Sequence, residues 1–146
     1  MAVLVWVVEG TWPACVDAVR DHPSAEIVLL HVSGHDVPEA AHGAFAGLFG
    51  RGQHRERDPG TAVEQLATTS GRDLLAAAAH RLGRPCTTRE RTGRVEREVV
   101  TAAEGAELLV VARDGDHARP GPRSLGPASR FVVDHAPCPV LLVWPD

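Results

Sequence analysis

Apolar residues along this chain fall into short unbroken runs separated by sparser stripes. The runs are Val3 to Val8, Glu26 to Val32, Glu107 to Ala112 and Pro139 to Trp144, each of strand length. Unbroken apolar runs mark strands buried on both faces. The stripes predict helices. One starts near Thr11, with Pro13 in its first turn, and ends about Arg20 before Asp21-His22-Pro23-Ser24. A second covers Thr61 to Leu82. Val63, Leu66, Leu74, Leu75, Ala78 and Leu82 lie on its apolar face, Gly71 weakens its middle, and Gly83 and Pro85 stop it. A third covers Val95 to Gly105, and a fourth starts at Gly126-Pro127 and ends near His135. Cys86 to Arg91 alternates with little apolar character and predicts a thin strand at a sheet edge.

Strands and helices therefore alternate, which predicts an α/β layered fold with a parallel sheet and right-handed crossovers. One stretch interrupts the rhythm. Residues 33–60 are rich in Gly, Pro, His and Arg and read as a mobile insertion in a single domain spanning 1–146. Within it, Pro38 to Phe49 fits either a small lid helix or a tether anchored by Phe45 and Phe49.

Composition narrows the function. With 146 residues, 44% hydrophobic and 23% charged, the chain can bury a core and is not a disordered tail. No apolar run is long enough for a membrane span, and the first residues carry neither a basic leader nor a cleavage site. A cytoplasmic protein is expected. The net charge of -4 argues against nucleic acid. Three cysteines at wide spacing make neither a disulfide framework nor a zinc signature. Lysine is absent, which excludes a Schiff base and a phosphate-loop lysine. The eight histidines, His31, His35 and His42 closest together, show no metal-ligand spacing and read as scattered surface residues. No strand–turn element presents a serine nucleophile: Ser124, Ser129, Asp134 and His135 lack the Gly-x-Ser-x-Gly elbow.

In open parallel sheets, ligands sit beyond the carboxyl ends of the strands. Glu9 and Gly10, Val32 and Ser33, and Arg113, Asp114 and Gly115 occupy those positions here. The Gly-rich loop before the last helix adds a helix N-terminus, a potential anion site.

At these residues the sequence resembles the universal stress protein family. The resemblance runs through Val3-Leu4-Val5-Trp6-Val7-Val8-Glu9-Gly10-Thr11, Glu26 to Val32 and Gly105 to Ala112. It is most specific in His135-Ala136-Pro137-Cys138-Pro139 before Val140-Leu141-Leu142-Val143. It implies a three-layer α/β/α fold of the adenine nucleotide alpha hydrolase-like type, with a five-stranded parallel sheet of order 3-2-1-4-5. It also implies a cytoplasmic homodimer in stress physiology, with ATP or AMP as the ligand of many members. Nucleotide-binding members share a Gly, two residues, a Gly, nine residues, then Gly followed by Ser or Thr. Carried over, those positions are Ala112, Gly115, Gly126 after ten residues, and Pro127, with Ser129 kept as a further Ser and Glu9 in place of an Asp.

The candidate nucleotide crevice is thus Glu9, Val32, Ala112, Gly115, Gly126 and Ser129. Each also has a plain structural reading: Glu9 as a solvated carboxylate, the glycines as turn and helix-start residues. Arg113, Arg119, Arg123 and Arg130 either clamp phosphates or form a solvated basic loop. Pro127 lacks an N–H and a hydroxyl, Ala112 adds a methyl, and Asp114 and Asp116 bring negative charge, so ATP binding is expected to be weak or lost. The leading expectation is a non-enzymatic stress-response domain, without cofactor or metal, that pairs through Val140 and Leu142 of its last strand and acts on an unknown protein partner. The alternatives are an ATP or AMP sensor, and a weak nucleotide hydrolase using Asp114.

Overall fold

The computed structural model describes residues 1–24, 26–34, 59–115 and 124–145, with 59–69 described by their helical backbone alone. The elements are β1 (Val3–Trp6), α1 (Trp12–Val19), β2 (Ile27–Gly34), α2 (Pro59–Leu82), β3 (Thr87–Gly93), α3 (Val95–Ala102), β4 (Leu108–Ala112), α4 (Pro127–His135) and β5 (Val140–Val143). The five strands form one sheet of order β3-β2-β1-β4-β5, parallel at every pairing.

Side-chain alternation along the strands builds two cores. Val3, Val5, Val7, Ile27, Leu29 and Val110 face α1 and α2, against Cys15, Val16, Val19, Leu75, Ala78 and Leu82. Leu4, Trp6, Val28, Leu30, Leu109 and Val111 face the other way, against Val99, Ala102, Ala103 and Val132 of the α3–α4 side. This double burial is why β1, β2 and β4 read as unbroken apolar runs. The central strand β1 is buried at all four residues.

The edges differ from the centre as the sequence predicts. Every residue of β3 from Thr87 to Glu90 is exposed, and among the described residues the strand pairs only with β2. β5 closes the other edge beside β4, with Leu141 38% exposed. The expected insertion at 33–60 is narrower at both ends. Ser33 and Gly34 stay in β2, paired with Thr92 and Gly93, because β3 continues to Gly93, and Pro59-Gly60 already belong to α2. The rest of that stretch, including Phe45 and Phe49, lies outside the described residues.

Arginines tie α1 and the turn after it to α2. Arg81 grips Asp17 with two hydrogen bonds, from Nε at 2.9 Å and Nη2 at 2.8 Å. Arg84 donates to the carbonyl oxygens of Arg20, His22 and Ser24 at 3.3, 2.8 and 2.6 Å. A turn with no regular partner for its carbonyls is satisfied in this way by one side chain.

Candidate functional site

The topology reverses direction between β1 and β4, since the chain builds outward to β2 and β3 and then returns to β4 and β5. The carboxyl ends of these central strands define the crevice. Three of the sequence-predicted residues meet on the β4–α4 side of it. Gly126 precedes α4 with Pro127 in the first turn, and its N–H donates to Asp114 Oδ1. Ser129, only 4% exposed, donates its hydroxyl to Asp114 Oδ2 at 3.1 Å. Gly115 joins the same loop through its N–H, which donates to the Ser124 carbonyl at 3.0 Å.

Asp114 is therefore the centre of the arrangement. Its carboxylate sits at the N-terminus of α4, where backbone N–H groups point outward and the helix dipole favours negative charge. Pro127 offers no N–H there, and two of the donors at this helix end, the Gly126 N–H and the Ser129 hydroxyl, go to Asp114. The absence of a side chain at 126 leaves room for this contact. A Cβ at 126 would lie 2.7 Å from Asp114 Oδ2, closer than real contacts allow.

Arg113 is engaged by other partners. Its backbone N–H continues the sheet to Val143 O at 2.8 Å, its Nη1 donates to Ser124 Oγ at 2.9 Å, and its guanidinium lies over the Trp144 ring at 5.1 Å. It holds the loop to β5 instead of lining an open anion site. Arg130 is exposed on α4, and Arg119 and Arg123 lie outside the described residues. Ser124 and Trp144 were not readable as partners of Arg113, because the pairing spans a loop and a strand end.

The remaining predicted residues are spread across the sheet. Ala112 packs in the core facing α1 and α2, whereas Val32 packs in the core facing α3 and α4. Glu9 is exposed beyond β1. It lies near enough to His31 on β2 to favour that imidazole's charged form, together with Glu90. His31 is not one of the scattered surface histidines that the sequence suggested: it is half-buried, because it occupies an inward-facing position of β2. Burial is the largest influence on it and holds its pKa below the ordinary imidazole value.

Among the described residues no group of three or more His, Cys, Asp or Glu is placed to hold a metal ion. The three thiols are free, and burial pushes Cys15 up to about 12, far from the thiolate form needed for nucleophilic chemistry. No helix among the described residues is long and apolar enough to cross a membrane.

The family model described as the universal stress protein family matches residues 14–143. The chain belongs to the universal stress protein family. Solved structures share its fold at low identity. Hypothetical protein MJ0577 matches with a TM-score of 0.73 and 16% identity, covering 99% of this chain and 96% of that one. The universal stress protein UspA from Lactobacillus plantarum matches with a TM-score of 0.69 and 18% identity over 98% and 97% of the two chains. A universal stress protein family protein from Arabidopsis thaliana, solved with AMP bound, matches with a TM-score of 0.61 and 20% identity over 100% and 92%. No curated protein sequence matches the chain.

Proposed function

We propose that this universal stress protein is a non-enzymatic, cytoplasmic regulatory domain in which ATP binding is weak or lost. The observation that carries the reading is the Asp114 carboxylate on the Gly126 N–H and the Ser129 hydroxyl. In the resemblance read from the sequence, phosphates are expected around the Gly126 and Pro127 positions. Two of the donors there, the Gly126 N–H and the Ser129 hydroxyl, serve the internal Asp114 carboxylate, and Pro127 supplies none. A phosphate at that position would compete with Asp114 for them. Loss of one donor to a charged phosphate is worth roughly 1.5–3 kcal/mol, about a tenfold to hundredfold change in affinity.

Asp114, on which the hydrolase alternative relies, has a structural task at the start of α4: one oxygen accepts from the Gly126 N–H and the other from the Ser129 hydroxyl. The second reading, an ATP or AMP sensor, is favoured by the Arabidopsis relative with AMP and by a universal stress protein in complex with cAMP, which matches with a TM-score of 0.57. Isothermal titration of the wild-type chain with ATP and with AMP decides between them. Millimolar or undetectable binding is expected. A low-micromolar dissociation constant, abolished by Gly115→Val, would restore the sensor reading.

We further propose that the domain acts as a homodimer through the open edge of β5. Val140 and Leu142 are half-buried against the α3–α4 core, and Leu141 points its side chain into solvent. An apolar edge strand is a template for pairing with a second copy about a two-fold axis. The protein partner of such a dimer would be recognised elsewhere on its surface.

A further inference from the structure

The two edges of the sheet differ in charge. β5 is Val140-Leu141-Leu142-Val143, without a charged side chain. β3 is Thr87-Thr88-Arg89-Glu90-Arg91-Thr92-Gly93, with its charges in the middle of the strand. It pairs with β2 from Thr87 to Gly93, and its other side is the end of the sheet among the described residues. Alternation places Arg89 and Arg91 on one face and Glu90 on the other. Arg89 and Glu90 are exposed. Arg91 donates to Glu98 of α3 at 3.1 Å, and Arg72 of α2 lies 3.5 Å from Glu90.

We propose that the charge order of β3 closes this edge of the sheet to a second copy of the chain. In a two-fold antiparallel pair of identical strands, residues directly opposite share a face, and each contact is repeated in reverse. Pairing along the whole of β3 is centred on Glu90. It sets Glu90 against its own twin and Arg89 against Arg91 on both sides of the centre, with Thr88 opposite Thr92. Moving the centre to Arg89 or to Arg91 keeps the faces matched and sets that arginine against its own twin. A centre at Thr88 or Thr92 leaves most of the strand unpaired. Every register that uses most of β3 therefore brings like charges directly opposite, which destabilises the pair. The ion pairs to Glu98 and Arg72 lie within one chain, so both copies bring the same order of charge to the axis. Without that order, the free N–H and C=O groups of β3 would be a template for another copy. If both edges accepted a copy, the sheets would join into open filaments instead of closed pairs. Taken with the β5 homodimer proposed above, on which this last step rests, assembly stops at the dimer.

The test is light scattering in the high-micromolar range on the full chain carrying Arg89→Glu and Glu90→Thr together. In the register centred on Glu90, these changes set a carboxylate opposite Arg91 on both sides and threonine against threonine between them, which are favourable pairs. The average mass is expected to rise about twofold or more over the wild type as copies join through the opened edge. Glu90→Thr alone keeps Arg89 opposite Arg91 and is expected to leave the mass unchanged. Glu90→Thr with Arg91→Glu creates the same opposite-charge pairs from the other side and repeats the test should the first variant lose its native circular dichroism spectrum. In a Leu141→Arg background, Arg89→Glu with Glu90→Thr is expected to turn a monomer into a dimer. Two results would each overturn the proposal: a folded double variant with the mass of its background, or an equal rise in mass from Glu90→Thr alone. Failure of the β5 homodimer shows separately, as a Leu141→Arg chain with the mass of the wild type.

Discussion

Asp114 accepts a hydrogen bond from the Ser129 hydroxyl at 3.1 Å across fifteen residues of sequence, with the N–H of Gly126, the residue before α4, on its other oxygen. An internal carboxylate thus stands where a helix N-terminus would otherwise present donors to an external anion. This single contact links two properties: the start of α4 and the small residue at 126.

The first prediction follows for stability and rescue. Asp114→Ala leaves the Gly126 N–H and the buried Ser129 hydroxyl without an acceptor and is expected to destabilise the fold by about 1–2 kcal/mol. Millimolar inorganic phosphate is expected to raise the melting temperature of Asp114→Ala while leaving the wild type unchanged. Equal shifts in both proteins would show that Asp114 does not occupy an anion position.

The second concerns Gly126. In Gly126→Ala the new methyl meets Asp114 Oδ2 at 2.7 Å, against a carboxylate held by two donors. The bond to Ser129 is expected to break, and the variant to melt below the wild type by a margin similar to Asp114→Ala. Combined in one chain, the two substitutions are expected to cost less than their sum, because they remove the same contact. Simple additivity in thermal melts would separate them.

Much of the fold was legible because the central strands are buried on both sides. Val3 to Trp6 and Leu108 to Ala112 have no choice of face, so their apolar runs appear directly in the sequence. The β3 edge was legible for the opposite reason: Thr87-Thr88-Arg89-Glu90 has nothing to bury. The site was legible only in part. Sequence spacing pointed to Gly115, Gly126 and Ser129 and to negative charge from Asp114, but not to the acceptor role of Asp114, which depends on a loop returning it to α4. His31 was misread as a surface residue. In a strand its neighbours in sequence point to the opposite face, so burial is decided by Gly71, forty residues away.

A third prediction concerns the turn between α1 and β2. Arg84 spans the carbonyls of Arg20, His22 and Ser24, while the neighbouring Arg81 is engaged with Asp17. Arg84→Ala is expected to destabilise by roughly 1–3 kcal/mol through unpaired, partly buried carbonyls. Arg84→Lys is expected to recover little, since one ammonium cannot match a planar fork on three acceptors. Full recovery in denaturant melts would assign the effect to charge alone.

A fourth concerns acid. The hydrogen bond from Arg81 holds the Asp17 carboxyl below the ordinary aspartate value. A depressed folded-state pKa stabilises above the unfolded value, and that contribution disappears as pH falls through the ordinary aspartate range and below it. The effect is small, because Asp17 is exposed and its ion pair is screened. Asp17→Asn is expected to flatten the pH dependence of stability below about pH 4. Denaturant melts in which Asp17→Asn keeps the full acid dependence of the wild type would show that the Arg81 pair contributes nothing to it.

The last prediction concerns assembly. Leu141 is 38% exposed on an edge strand whose other side pairs with β4, so its side chain contributes to the core less than those of Val140 and Leu142. Leu141→Arg therefore interferes with pairing of β5 to a second copy while leaving the two cores in place. The wild type is expected to scatter light as a dimer at micromolar concentration, and Leu141→Arg as a monomer with a similar near-native circular dichroism spectrum. Leu142→Arg is expected to disrupt both assembly and packing, since that side chain also touches the α3–α4 core. A wild-type monomer, or a Leu141→Arg variant that remains dimeric, would move the interface away from β5.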